Sequence, residues 1–122
     1  MGTILVVEDS ATQRQMMTEF LEGKDFQVTI ARNGVEALER ILDSSPDVVL
    51  LDVLLPQMNG YEVCRRIKKT PKTQDIPVIM CSAKTTEVDR YWGLKVGADA
   101  YLGKPFKQTE LMEAIKRLIA DN

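Results

Sequence analysis

The sequence predicts an α/β fold: one parallel sheet with helices packed on both of its faces. Three observations predict it. Short apolar runs at Ile4–Val7, Val48–Leu51 and Ile76–Cys81 show no polar alternation, the mark of strands covered on both sides. Between such runs lie longer segments whose apolar residues recur at helical spacing. The two kinds of segment take turns along the whole chain, which requires parallel pairing with right-handed helical crossovers.

Each element has its own signals. Ile4–Val7 ends in Glu8-Asp9. Ser10 followed by Gln13 gives a capping-box pattern for a helix burying Met16, Met17, Phe20 and Leu21, with Gly23 as its stop. Phe26–Ala31 alternates partially, as an edge strand does. Asn33 and Glu36 repeat the cap pattern before Ala37, Leu38, Ile41 and Leu42, and Ser44-Ser45-Pro46 closes that helix. Val48–Leu51 is the third strand. Pro56 and Asn59-Gly60 then form a turn into a helix burying Val63, Cys64 and Ile67, closed near Thr70-Pro71. Ile76–Cys81 is the fourth strand, ending at Ser82. A helix over about Thr86–Val96 is weakened by Gly93 and closed by Gly97, and the fifth strand, Asp99–Leu102, ends at Gly103-Lys104-Pro105. The last helix runs from Gln108 to about Ala120 and buries Leu111, Ile115 and Leu118. The expected organisation is one domain over residues 1–122 with no output domain.

Composition excludes several classes of function. Sixteen Lys+Arg against 18 Asp+Glu, net charge -2, argue against nucleic acid as the main partner, whose affinity comes from clustered cations. No histidine is present, so histidine general bases and the usual zinc sites are excluded. Cys64 and Cys81 sit in apolar runs and read as buried reduced thiols. The apolar runs are too short to span a membrane. The N-terminus lacks a signal-peptide pattern, and Val6 stands where a myristoylation motif needs Ser or Thr. A cytoplasmic location is expected.

In a parallel sheet the C-terminal strand ends share one edge, where such folds bind ligands. Here they carry Glu8 and Asp9, then Asp52, Ser82, and Gly103-Lys104; the second strand ends less distinctively in Arg32-Asn33. If the first and third strands are neighbours, three carboxylates crowd together, so a pKa rises or a cation binds. Acidic oxygens with carbonyls and water suit Mg²⁺. Lys104 adds a cation and Ser82 a hydroxyl, a set able to hold the oxygens of a phosphoryl group on Asp52, since carboxylates serve as nucleophiles in such chemistry. Each residue alone has an ordinary explanation: helix-dipole compensation for Glu8-Asp9, a cap for Ser82, a solvated lysine for Lys104. Their meeting on matching strand ends favours a phosphoryl-acceptor site.

The stretches VVEDS, LLDVLLPQMNGYEV, CSAK and GADAYLGKPF, in this order and spacing, resemble the motifs of bacterial response-regulator receiver domains. The resemblance covers about Ile4–Ala120. It implies a doubly wound (βα)5 flavodoxin-like sandwich with strand order 2-1-3-4-5. It implies that Asp52 is phosphorylated by a histidine kinase or a histidine phosphotransfer protein. Mg²⁺ would be held by Asp9, Asp52 and the backbone carbonyl of Leu54, with Glu8 acting mostly through water. Ser82 and Lys104 would contact the phosphoryl group, Tyr101 would swing with the switch, and Lys104-Pro105 is of a kind typically cis in the family. The output would pass through the face built by the last two helices and the fifth strand, with Trp92 and Tyr101 as candidate partner contacts. Of Tyr91 and Trp92, one is expected to pack and the other to be exposed. Leu54 and Lys84 occupy positions that influence phosphoryl lifetime in the family, Gly93 suits a helix that must shift, and Gly103 would loosen its loop.

A stand-alone phospho-switch acting through protein binding, in chemotaxis, motility or a relay, is the leading expectation. It is expected to be monomeric, with dimerisation left open, to act without nucleic acid or membrane, and to catalyse at most its own phosphorylation and dephosphorylation. The alternative is a receiver-fold binding module indifferent to phosphorylation. A flavin carrier is disfavoured by the acids in EDSATQ and the lack of GxGxxG, and a metal phosphohydrolase would turn over external phosphate esters.

Overall fold

Five strands alternate with five helices: β1 (Thr3–Val7), α1 (Ala11–Glu22), β2 (Gln27–Ala31), α2 (Gly34–Ser44), β3 (Val48–Leu51), α3 (Gly60–Lys69), β4 (Val78–Ser82), α4 (Glu87–Lys95), β5 (Ala100–Gly103) and α5 (Gln108–Ala120). The computed structural model describes residues 2–120, apart from the side chain of Ala120. All strands are parallel in one sheet of order β2-β1-β3-β4-β5, so the strand order reverses between β1 and β3.

The unbroken apolar runs are explained by two cores, one on each face. Leu5, Val7, Val49, Leu51, Val78 and Met80 face Ala37, Ile41, Val63, Ile67 and Tyr101. The alternate residues Ile4, Val6, Val48, Leu50, Ile79 and Cys81 face Leu21, Leu111 and Ile115. With about 1.5–3 kcal/mol for each large apolar side chain removed from water, these layers fix the register, because a one-residue slip would exchange the two faces. Among the described residues no helix is long and apolar enough to cross a membrane.

The structure corrects several local expectations. Strand β4 begins at Val78 rather than Ile76, because the Ile76 N–H closes a turn onto Thr73 O at 3.0 Å and Pro77 has no N–H to give. Asp99 lies before β5 and ties elements together: its Oδ2 accepts from Val78 N at 2.8 Å and Lys68 Nζ at 2.9 Å. Met16 is 65% exposed and Leu42 58%; each sits at the margin of its stripe, over a surface groove on its own side of the sheet. Leu118 is only partly buried against the core. The α1 capping box forms by half: Ser10 Oγ accepts from Gln13 N at 3.3 Å, but the Ser10 N–H donates to Glu8 Oε2 at 3.2 Å. A complete box forms at α4, between Thr86 and Asp89.

Gly93 also has a different reason. A Cβ there would stand 2.6 Å from Cδ2 of Tyr101 and 3.0 Å from Sδ of Met80, so the glycine is a seat for the Tyr101 ring. Gly103 likewise is packed rather than loose, since a Cβ would meet Thr85 Cγ2 at 2.7 Å.

Cys64 and Cys81 are free buried thiols, and burial pushes both up to about 12. The thiolate is the reactive species, and for such a thiol it makes up roughly one part in ten thousand at pH 8. Iodoacetamide at pH 8 is expected to leave both cysteines unmodified in the folded protein and to label both in urea, as read by mass spectrometry.

Candidate functional site

The register of the central strands builds the site. Val7 pairs with Leu51, so the next residues, Glu8 and Asp52, emerge side by side. The ladder continues through them: Asp52 N–H donates to Val7 O at 3.2 Å and Glu8 N–H to Ala31 O at 3.0 Å. Both residues are buried, while Asp9 beside them is exposed. One carboxylate oxygen from each of Glu8, Asp9 and Asp52 lies within 4.8 Å of the others.

The loop after β3 orients Asp52. Leu54 N–H donates to Asp52 Oδ1 at 3.1 Å, so the Leu54 group that touches this carboxylate is its amide. Gly60 N–H then closes the loop onto Val53 O at 2.8 Å, with its Cα against the Asp52 carbonyl so closely that any Cβ would collide with backbone. Asn59 caps α3 by accepting from Glu62 N at 3.1 Å.

The cation arrives from the far side of the sheet. Ser82 pairs with Gly103, and Lys104 N–H donates to Ser82 O at 2.8 Å. The Lys104 ammonium donates to Glu8 Oε1 at 2.7 Å, Gln13 Oε1 at 2.6 Å and Asp52 Oδ2 at 3.1 Å. Burial pulls this ammonium down, but the Glu8 hydrogen bond and the Asp52 and Glu8 charges outweigh it and hold it above its ordinary value. Burial, aided by the Asp52 charge, raises the Glu8 carboxyl despite Lys104. One ammonium thus does not neutralise this cluster. Three oxygen-donor carboxylates in excess of the local positive charge fit a hard divalent cation.

Ser82 is fully buried, and its Oγ accepts from Lys84 N at 3.2 Å. The Lys84 carbonyl accepts from the Tyr101 hydroxyl at 2.5 Å. Arg90 stands over the Tyr101 ring, its guanidinium carbon 5.5 Å from the centroid, and donates to Tyr101 O at 3.2 Å.

Glu8, Asp9, Asp52 and Lys104 therefore meet as the sequence predicts, with Ser82 linked to them through the β4–β5 ladder. Two expectations change. Tyr101 is 8% exposed, so in this structure it lies under α4 and does not share a surface with Trp92. Tyr91 and Trp92 are both exposed, at 56% and 51%, their rings edge-to-face at 5.3 Å; Gly93 takes the buried position on α4 that either aromatic was expected to fill. Two further residues reach the site without a site signal in the sequence: Gln13, and Arg14, which donates to Glu8 O at 2.8 Å. The signal Gln13 does carry is a misleading one, because it reads as a capping partner. The Lys104–Pro105 peptide is cis.

Comparison with known proteins fits this geometry. The model of the response regulator receiver domain family matches residues 4–116. The DNA-binding response regulator MtrA of Mycobacterium tuberculosis is 40% identical over 119 residues, 98% of this chain and 51% of that protein. The protein PilH of Pseudomonas aeruginosa is 38% identical over 120 residues, 98% of this chain and 99% of that one. The chain spans about half the length of MtrA and of the phosphate regulon transcriptional regulatory protein PhoB of Pseudomonas aeruginosa, and nearly all of PilH. Among solved structures, the receiver domain of a Pseudomonas aeruginosa sensor histidine kinase, with magnesium in its active-site cleft, superposes with TM-score 0.90 at 30% identity, covering 98% of each chain. The Vibrio cholerae chemotaxis protein CheY4 does so with TM-score 0.90 at 30% identity, over 97% of this chain and 98% of that one. The chain belongs to the response-regulator receiver domain family.

Replacing Lys104 by Ala leaves Glu8 and Asp52 facing each other without their cation. A loss of about 2 kcal/mol at pH 7 is expected from urea unfolding, less than for a sealed ion pair because Glu8 can take up a proton. The folded state holds the Glu8 proton more tightly than the unfolded chain does, so the variant's deficit should shrink as pH falls towards the ordinary Glu value of 4.5.

Proposed function

We propose that this domain is a phosphorylation switch in which Asp52 accepts a phosphoryl group from a histidine kinase or a histidine phosphotransfer protein. The single observation that carries the reading is the bracketing of one lysine, Lys104, by the buried carboxylates of Glu8 and Asp52 at 2.7 and 3.1 Å. In the reaction an Asp52 oxygen forms the new bond to phosphorus while the donor's P–N bond breaks. The leaving imidazole keeps the bonding electrons and takes a proton from solvent. Asp52 is presented by its Leu54 hydrogen bond, and Lys104 offsets charge on the transferring oxygens. Glu8, Asp9, Asp52 and the Leu54 carbonyl are the groups assigned to Mg²⁺, which when bound would neutralise phosphoryl charge. The magnesium in the related kinase receiver supports that assignment.

The output follows from the contacts of Ser82. Its hydroxyl is tied to Lys84 N–H, and the Lys84 carbonyl holds the Tyr101 hydroxyl. A phosphoryl oxygen on Asp52 would draw the Ser82 hydroxyl towards it, free Lys84, and release Tyr101 from its seat against Gly93. The face built by α4, β5 and α5 would then change shape for a protein target. Turning such a switch from mostly off to mostly on takes about 5 kcal/mol of differential stabilisation, within reach of several charge-assisted bonds. We infer a cytoplasmic regulator with no catalysis beyond its own phosphorylation and dephosphorylation. The likeness to a chemotaxis protein supports a chemotaxis or motility role.

Acetyl phosphate with Mg²⁺ is expected to add one phosphoryl group to the wild type and to shift the Trp92 emission. Asp52→Asn should show neither change. A wild type that binds its target equally well with and without phosphorylation would replace the switch by a constitutive binding module.

A further inference from the structure

The contact that the phosphorylation reading leaves unused is the shortest one to Lys104, from the side-chain carbonyl of Gln13 at 2.6 Å. Its origin is local. In a closed capping box the Gln13 side chain would turn back to the Ser10 N–H, but that N–H is taken by Glu8 Oε2 at 3.2 Å. The Gln13 amide N–H remains fixed on Ser10 Oγ at 3.3 Å, so the backbone of the first turn is held. The freed side chain reaches across to Lys104. A lysine ammonium has three N–H donors, and here all three have acceptors: Glu8, Asp52 and Gln13.

These acceptors are not equivalent. Glu8 and Asp52 belong to the carboxylate cluster and are the groups a divalent cation would also draw on. Gln13 stands outside that cluster, on α1, and carries no charge. It can hold the ammonium while the two carboxylates are shared, and it is the weakest of the three bonds when a phosphoryl oxygen asks for one, because bonds to ionised acceptors are the stronger ones. We propose that Gln13 is a positioning residue for phosphoryl transfer to Asp52, keeping the Lys104 ammonium over the site before transfer and releasing it to the phosphoryl group afterwards. This role rests on Asp52 being the phosphoryl acceptor.

The test uses phosphoramidate and saturating Mg²⁺, where the Asp52 oxygen bonds to phosphorus, the P–N bond breaks, and ammonia leaves with a proton from solvent. Gln13→Met keeps length and removes the acceptor; Gln13→Glu restores an acceptor at the same reach. Gln13 is exposed, so both variants should melt within a few degrees of wild type. Gln13→Met is expected to slow phosphorylation about fivefold, the worth of one hydrogen bond. In the same variant, without metal or donor, nitrogen NMR of the Lys104 ammonium should show faster hydrogen exchange and motion. Gln13→Glu should keep the ammonium ordered. The proposal is overturned if Gln13→Met matches wild type in rate and in ammonium order, or if Gln13→Glu loses that order equally. A wild type inert to phosphoramidate overturns the underlying reading together with this one, whereas a reactive wild type matched by Gln13→Met overturns this one alone.

Discussion

The structure depends on one interaction above the rest: the Lys104 ammonium between Glu8 and Asp52. Two carboxylates at the ends of adjacent buried strands are costly to ionise together. The cation that offsets them comes from β5, two strands beyond β3 in the sheet. It reaches Asp52 only because Ser82 pairs with Gly103 and the Lys104 amide closes the ladder on Ser82 O. A slip of one residue in β4 would carry Ser82 to the wrong face, and one in β5 would do the same to Lys104. The apolar layers that hold register are therefore also what holds the site, and the acids are tolerable only in the correct fold.

Much of this was legible in the sequence because it obeys short-range rules. Strands apolar on both faces write unbroken runs, and Asp52 after Val48–Leu51 marks where the run meets the edge. Parallel pairing then brings every such terminus to one side. What stayed hidden depends on competition between local and distant partners. Ser10 and Gln13 carry a valid local signal, but Glu8 outcompetes Gln13 for the Ser10 N–H, and Gln13 goes to a lysine 91 residues away. Gly93 reads locally as a weak point in a helix, yet its reason is a ring on β5. Of the two aromatics on α4, neither packs inward, because the inward position belongs to that glycine. Local chemistry states what a residue can do; packing decides which of those things it does.

Tyr101 shows how an event at the edge can reach the interior. The charged groups at the site belong to residues beyond the strand ends, on loops whose rearrangement leaves both apolar layers intact. Tyr101 belongs to both regions. Its ring is part of the layer that contains Leu51 and Met80, while its hydroxyl is bonded to the β4–α4 loop through Lys84. Burial raises that phenol to about 12, so it stays a neutral hydrogen-bond donor across the physiological pH range and the tie is insensitive to pH there. The Arg90 guanidinium closes over the ring from α4, and Gly93 supplies the space beneath it. Moving the ring must therefore change α4 as well as the loop, since a close-packed seat cannot stay half filled without losing its contacts. The same helix presents Val88, Tyr91, Trp92 and Leu94 to solvent. A hydroxyl contact at Ser82 is in this way linked, through Lys84 and Tyr101, to the helix that carries this exposed apolar surface.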